Sequence, residues 1–353
     1  MRMMRGVVIV MVGMAALTLL VHHAALNTPT TVMALTTLRA SGTPGIVLYD
    51  LDARQTLRFT PGVQDESFLA WSASGDQFAF SRAHTPRSRS PVTVTFNLET
   101  GQVSLFPGIA HYATFSPDGR WLTITRMNTA TDGALLNLDT QTGDLYPLTP
   151  ETMRVSGAPA WSPDGQSVLF GGRIDDGSYQ IYRYDLGTSD LARLTDYVGN
   201  NYNPRPSPDG RMIAFQSFQR RSLVVMLLRG DDPIPRSLTA GDGFCELPAW
   251  SPDSTRVAVI CQGLYGTFGK ALFIAYVDSR DVDFIAADAR AIQPQWTRDG
   301  GSILFVRDDG YLYRVDAPAA PIEGTSALPP TMTRAAASRF FFRETYVGVG
   351  VRP

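Results

Sequence analysis

Cysteine, lysine and histidine are scarce in this chain of 353 residues, and their scarcity closes off chemistry. Four histidines are present, His22, His23, His84 and His111, and the first two sit in a membrane-proximal stretch. No His cluster remains at metal-ligating spacing, so neither a metal nor a cofactor is implied. A Ser–His–Asp triad would have to use His84, in an arginine-rich loop, or His111, just before a strand. No G-x-S-x-G elbow and no glycine-rich phosphate loop opening a helix occur, and no catalytic residue is assigned. Lys270 is the one lysine, and the formal net charge of −2 gives no global pull toward nucleic acid. The acidic pairs Asp175-Asp176 and Asp231-Asp232 lie beside turns and read as solvated residues, with a Ca²⁺ contact as the alternative although nothing resembles a dense carboxylate loop.

What the chain has in quantity is one phrase, repeated every 44 to 46 residues. Its clearest copies are PAWSPDGQSVLF (159–170), PRPSPDGRMIAF (204–215), PAWSPDSTRVAV (248–259) and PQWTRDGGSILF (294–305). Looser copies are LAWSASGDQFAF (69–80) and ATFSPDGRWLTI (113–124), and an eroded one ends the chain. In SPDG the proline presets φ for a type I turn, aspartate suits the next position, and glycine accepts the left-handed conformation that follows. The flanks become antiparallel partners. Each phrase is followed by a second pair of alternating segments, such as IYRYDLGTSDLARLT (181–195). Four strands at a period near 45 make one blade, and a lone four-stranded sheet cannot bury both faces. The fold class is therefore all-β, a β-propeller of four-stranded blades.

The recurrent aromatic position holds Trp71, Phe115, Trp161, Trp250 and Trp296, with Pro206 in the fourth copy. Recurrence at one repeat position argues for packing between blades rather than for a sugar platform. A further strand pair, IVLYDLDARQTLRFT (46–60), precedes the first phrase and needs a partner, or it leaves an open sheet edge. Adding 45 to Trp296 lands on Phe341, inside RFFFRETYVGVGV (339–351), which reads as a hairpin. Joining the two ends completes a seventh blade; in a six-bladed alternative, 46–60 overlaps the last blade.

The first 26 residues differ in kind. Arg2 and Arg5 precede an uncharged stretch from Gly6 to Val21, which the neutral His22 and His23 extend. Sixteen residues make about 24 Å of helix against a hydrocarbon core of about 30 Å, and residues 6–26 would reach across. The expectation is a transmembrane signal-anchor over 1–26, a linker over 27–45 and the propeller over 46–353. The alternative is a cleaved signal peptide, giving a secreted or periplasmic protein. In both readings the arginines stay cytoplasmic and the repeats are extracytoplasmic.

The W-S-P-D-G phrase followed by I-Y-x-x-D and a closing L-T resembles the WD40-like (PD40) repeat of TolB-type propellers. The resemblance covers roughly 46–351. The same phrase occurs in propellers attached to prolyl-oligopeptidase-like hydrolases, so it implies a fold rather than an activity. The chain departs from TolB in having only residues 27–45 between the hydrophobic segment and the first repeat strand, with no room for an N-terminal α/β domain.

Cys245 and Cys261 flank one turn. Run straight back from the turn, the hairpin register sets Cys245 near Gln262, and a one-residue bulge would bring the two cysteines face to face as a disulfide; two buried thiols are the alternative. Connections between blades share the propeller face opposite the SPDG turns. They carry His111, Tyr112, Arg154, Tyr197, Asn200, Asn201, Tyr202, Asn203, Glu246 and Arg290. Tyr and Asn in YVGNNYN (197–203) suit adaptable contacts, and they are also ordinary loop formers. The expected function is a binding scaffold for a protein or a cell-envelope polymer. A small-ligand sensor or enzyme at the channel mouth is the alternative.

Overall fold

The computed structural model describes residues 32–38, 44–50, 55–58, 66–82, 92–107, 110–127, 133–174, 177–219, 221–230, 232–239, 243–264, 267, 269–290, 293–309, 311–321, 332–334 and 349–351. Each of the six clear copies of the phrase folds as a hairpin. In the third copy Ala160 pairs with Leu169 and Trp161 with Val168, and the Gly165 N–H donates to the Ser162 carbonyl at 2.9 Å to close the turn. The Ser162 hydroxyl donates to Asp164 and accepts the Ser167 N–H at 3.0 Å. Ser116, Ser207, Ser251 and Thr297 do the same in their copies. The phrase therefore codes a self-satisfied turn whose Ser and Asp consume the polar groups that the bend exposes.

The strands group in runs of four. The first three, β1 (Val32–Leu38), β2 (Pro44–Asp50) and β3 (Gln55–Arg58), pair in order. Next come β4 (Glu66–Trp71), β5 (Gln77–Arg82), β6 (Val92–Asn97) and β7 (Val103–Pro107). One eight-stranded sheet holds β8 (Tyr112–Phe115), β9 (Trp121–Met127), β10 (Gly133–Asp139) and β11 (Leu145–Pro147). Its second half is β12 (Met153–Trp161), β13 (Ser167–Ile174), β14 (Gln180–Asp185) and β15 (Leu191–Arg193). The halves join through one register pair, Gly133 with Val155. A second eight-stranded sheet starts with β16 (Asn200–Pro206), β17 (Met212–Gln219), β18 (Ser222–Arg229) and β19 (Asp232–Ser237). It continues with β20 (Phe244–Trp250), β21 (Arg256–Gln262), β22 (Lys270–Tyr276) and β23 (Val282–Ala287), joined through Leu223 and Phe244. Last come β24 (Gln295–Trp296), β25 (Ser302–Val306), β26 (Leu312–Asp316) and β27 (Met332–Arg334), then β28 (Val349–Val351).

The core lies between runs. Ile46 and Leu48 of β2 pack with Phe78, Phe80, Val94 and Phe96 of the next run. Ala258, Ile260 and Ile274 meet Ile303 and Phe305 in the same way. The closing Leu-Thr of the repeat adds a recurrent clasp, because Thr195 and Thr239 accept the N–H of Ile181 and Val225 at 2.9 and 3.1 Å. The first strands of successive runs touch in turn: β4 with β8, then β12, β16, β20, β24 and β28, and β28 touches β4 again.

The ends of the chain meet in a different proportion from the two-plus-two pairing expected. β1 lies within 27–45, the stretch read as linker, and it pairs with β2 through Leu35 and Val47. It also takes β28 on its other side through Leu35 and Val349. Three N-terminal strands and one C-terminal strand thus make this sheet. VMALTTL already has the β-branched and apolar content of a strand. No helix among the described residues is long and apolar enough to cross a membrane. The proposed anchor (1–26), the arginine-rich loop holding His84 and most of 339–351 lie outside the described residues.

Candidate functional site

At the end opposite the SPDG turns, YVGNNYN spends its polar groups on the protein itself. Buried Gln180 is the organiser: its Oε1 accepts from Thr195 Oγ1 at 2.7 Å and from Asn201 Nδ2 at 2.8 Å. Its Nε2 donates to the Tyr197 carbonyl at 2.9 Å. Asn200 Oδ1 accepts the Tyr179 N–H at 3.0 Å. Asn203 Oδ1 reaches into the preceding run to accept the Ala158 N–H at 2.7 Å, and its Nδ2 donates to Gln216. Tyr197 packs against Phe215 and Met226. The amides that looked adaptable are clasps within and between runs.

The other residues singled out at this end are only partly brought together. Glu246 pairs with Lys270 at 2.7 Å. Burial first, and the Glu246 charge second, raise the Tyr202 pKa above the usual phenol value. His111 is half-buried, which lowers its pKa, and its backbone N–H donates to the Thr125 carbonyl at 3.0 Å. Tyr112 continues that strand opposite Thr125. Arg154 is exposed and stands opposite Arg173 in the register. The Arg290 N–H donates to the Val306 carbonyl at 2.8 Å. Gln180 and Gln216, which hold the asparagines, carry no motif that would mark them.

The Cys245 and Cys261 sulfurs lie 2.15 Å apart, at bonding distance, and the two residues are register partners. The bulge that aligns them falls between Glu246 and Ala249, where Leu247 takes a φ of 59°. The turn itself places Ser254, rather than glycine, in the left-handed region.

A more open arrangement exists at the SPDG end. The Trp250 indole N–H donates to the Arg205 carbonyl at 2.8 Å, and that of Trp296 to the Ala249 carbonyl at 2.9 Å. Each indole therefore ties its run to the preceding one. Trp161, Phe115 and Trp71 pack into the corresponding interfaces. In the fourth copy Pro206 stands where the ring would be, and a recess of about 430 Å³ opens there. Trp161, Trp250 and Trp296 line it with Pro206 and Pro248, and Arg205, Gln293, Gln295 and Arg298 supply the polar groups. The turn aspartates bordering this end are committed. Hydrogen bonds from Ser162, Ser207 and Thr297 lead in holding Asp164, Asp209 and Asp299 below the usual carboxylate range. Burial pushes Asp253 up, but Ser251, Thr255 and Arg256 outweigh it and hold its pKa at about 2.

Strand runs of four, an SPDG hairpin in each phrase and a core between runs define a β-propeller. Residues 69–243 match the PD40 family, the TolB beta propeller domain, and the chain carries a TolB-like propeller of that type. It is 28% identical over 159 residues to an uncharacterized protein of Agrobacterium fabrum, covering 42% of this chain and 53% of that one. It is 33% identical over 93 residues to the Tol-Pal system protein TolB of Hamiltonella defensa, covering 26% of this chain and 21% of that one. The chain thus spans about half, or less, of these relatives. Among solved structures, TolB from Acinetobacter baumannii superposes with a TM-score of 0.52 at 23% identity, covering 72% and 62% of the two chains. An oligogalacturonate lyase in complex with manganese gives 0.58 at 15% identity, covering 80% and 81%. At these identities the likeness is one of fold.

Proposed function

We propose that this chain is an extracytoplasmic, seven-bladed propeller, tethered through residues 6–26, that binds a protein partner in the cell envelope. The turn-end recess carries the reading. Tryptophan and arginine in a concave, partly desolvated pocket are the residue types that concentrate binding energy at protein interfaces, and here three tryptophans and two arginines share one recess. The unbroken circuit of first strands from β4 through β28 supports seven blades. The Cys245–Cys261 bond supports an oxidising compartment. The relatives named for the Tol-Pal system support an envelope partner.

The test is site-specific photo-crosslinking in cells. A crosslinker replacing Gln295, in the recess, is compared with one replacing Tyr146, exposed on the outer strand β11. A discrete protein adduct from position 295 alone is the expected result. Equal adducts from both positions, or none from 295, would contradict the reading.

A further inference from the structure

The fourth copy of the repeat breaks its pattern at two adjacent positions. Where the other copies carry Ala70, Thr114, Ala160, Ala249 and Gln295, it carries Arg205; where they carry an aromatic ring, it carries Pro206. The second change withdraws a ring from the turn end. The first sets a cation beside the space so made. Arg205 makes one side-chain hydrogen bond, a long 3.4 Å contact from Nη2 to Gln293 Oε1, and forms no ion pair among the described residues. Burial draws its pKa below the usual arginine value, because no counter-charge offsets the desolvation. Alanine, the residue of three other copies, would carry no such cost.

The rest of the lining states which anion fits. The indole N–H groups of Trp250 and Trp296 are already spent on backbone carbonyls, and the Arg256 guanidinium covers one face of Trp296, so what the two rings present to the recess is apolar ring surface. Gln293 donates to the Pro248 carbonyl at 3.4 Å. The polar groups left over in the recess are Gln295, the buried Trp161 indole N–H, the Arg298 guanidinium and that of Arg205 beyond its one long contact with Gln293, and among the described residues no carboxylate lines it. A saccharide would bring a hydroxyl on nearly every carbon and find few partners here. A carboxylate flanked by apolar side chains would find both a cation and greasy walls.

We infer that the recess takes an acidic side chain of a peptide segment, with its carboxylate on Arg205 and its apolar neighbours against Trp250, Trp296 and Pro248. This inference rests on the protein-binding reading above and adds the chemistry of the contact. Charge-assisted hydrogen bonds to guanidinium are the strong kind.

The test titrates the purified full-length chain, by calorimetry, with three capped peptides that differ only in a central Asp, Asn or Lys between leucine and proline. The same titration is run with trigalacturonate. The Asp peptide binds, the Asn peptide binds about tenfold or more weakly, and the Lys peptide weakest of all. Arg205→Ala, which installs the common residue of the repeat, brings the Asp peptide down to the Asn level. Equal affinities for Asp and Asn, no binding of the Asp peptide, or indifference to Arg205→Ala each overturn the inference. Tighter binding of trigalacturonate than of the Asp peptide overturns the peptide assignment. If position 295 still crosslinks a protein while the Asp preference is missing, the acidic contact is wrong and the partner reading stands.

Discussion

Trp250 donates its indole N–H to the carbonyl of Arg205 at 2.8 Å, a bond that joins two consecutive repeats at positions 45 residues apart. The same separation recurs between Ala158 and Asn203, Asp209 and Ser254, and Pro248 and Gln293. The repeat period is thus written twice, as a core and as a set of bonds between neighbouring runs.

Trp250 and Trp161 should respond differently to losing the indole N–H. Trp161 Nε1 is buried with no hydrogen-bond partner among the described residues, whereas Trp250 Nε1 is satisfied. Trp250→Phe should cost about 1 kcal/mol for the lost bond, and Trp161→Phe close to nothing beyond the change in volume. Trp161→Ala should cost about 3–5 kcal/mol. Urea denaturation midpoints check all three.

Gly157 holds a φ of 80°, and Asn203 Oδ1 lies well inside van der Waals distance of where a Cβ would stand. Gly157→Ala therefore meets both backbone strain and a clash, at the point where Asn203 accepts the Ala158 N–H. A loss of about 1–3 kcal/mol is expected. Combining it with Asn203→Ala should cost less than the sum, as a double-mutant cycle will show.

The turn aspartates set an acid limit. Asp253 is held at about 2 in the folded chain, below its value of about 3.9 when unfolded. Its contribution is present above the unfolded value and is lost as pH falls from about 4 toward about 2. Asp164, Asp209 and Asp299 shift the same way. Denaturation midpoints should fall across that window, and Asp253→Asn should flatten part of the fall. A stability independent of pH there would contradict the turn chemistry.

The Cys245–Cys261 bond closes a loop with a sequence separation of 16, which in the chain-entropy picture stabilises by about 3 kcal/mol. Reductant should lower the melting temperature by several degrees. Mass spectrometry of a non-reduced digest should find the crosslinked peptides, and free thiols would contradict the bond.

The construction was legible because SPDG carries its own physics: proline, aspartate and the left-handed residue force a turn whatever surrounds them. The cysteine pairing was legible once a bulge was allowed, although it lies in the strand at Leu247 rather than at the turn. Strand β1 is not legible in the sequence because VMALTTL, beside the hydrophobic N-terminal stretch, bears no phrase of the repeat. The role of Asn200, Asn201 and Asn203 is hidden because their partners, the Tyr179 N–H, Gln180 and Gln216 respectively, come from other parts of the chain. The signal for the recess was present throughout, as Arg205-Pro206 in place of Ala-Trp. It reads as a worn copy until Trp250 and Trp296 are seen to face the same space.

Restoring the repeat tests the central claim most directly. The double variant R205A/P206W gives the fourth copy the sequence PAWSPDG of the third, fills the recess and removes its cation. Its melting temperature should equal or exceed that of the parent, while protein crosslinking from position 295 in cells is lost. A fully folded double variant that still crosslinks the same protein would show that the recess is not the binding site.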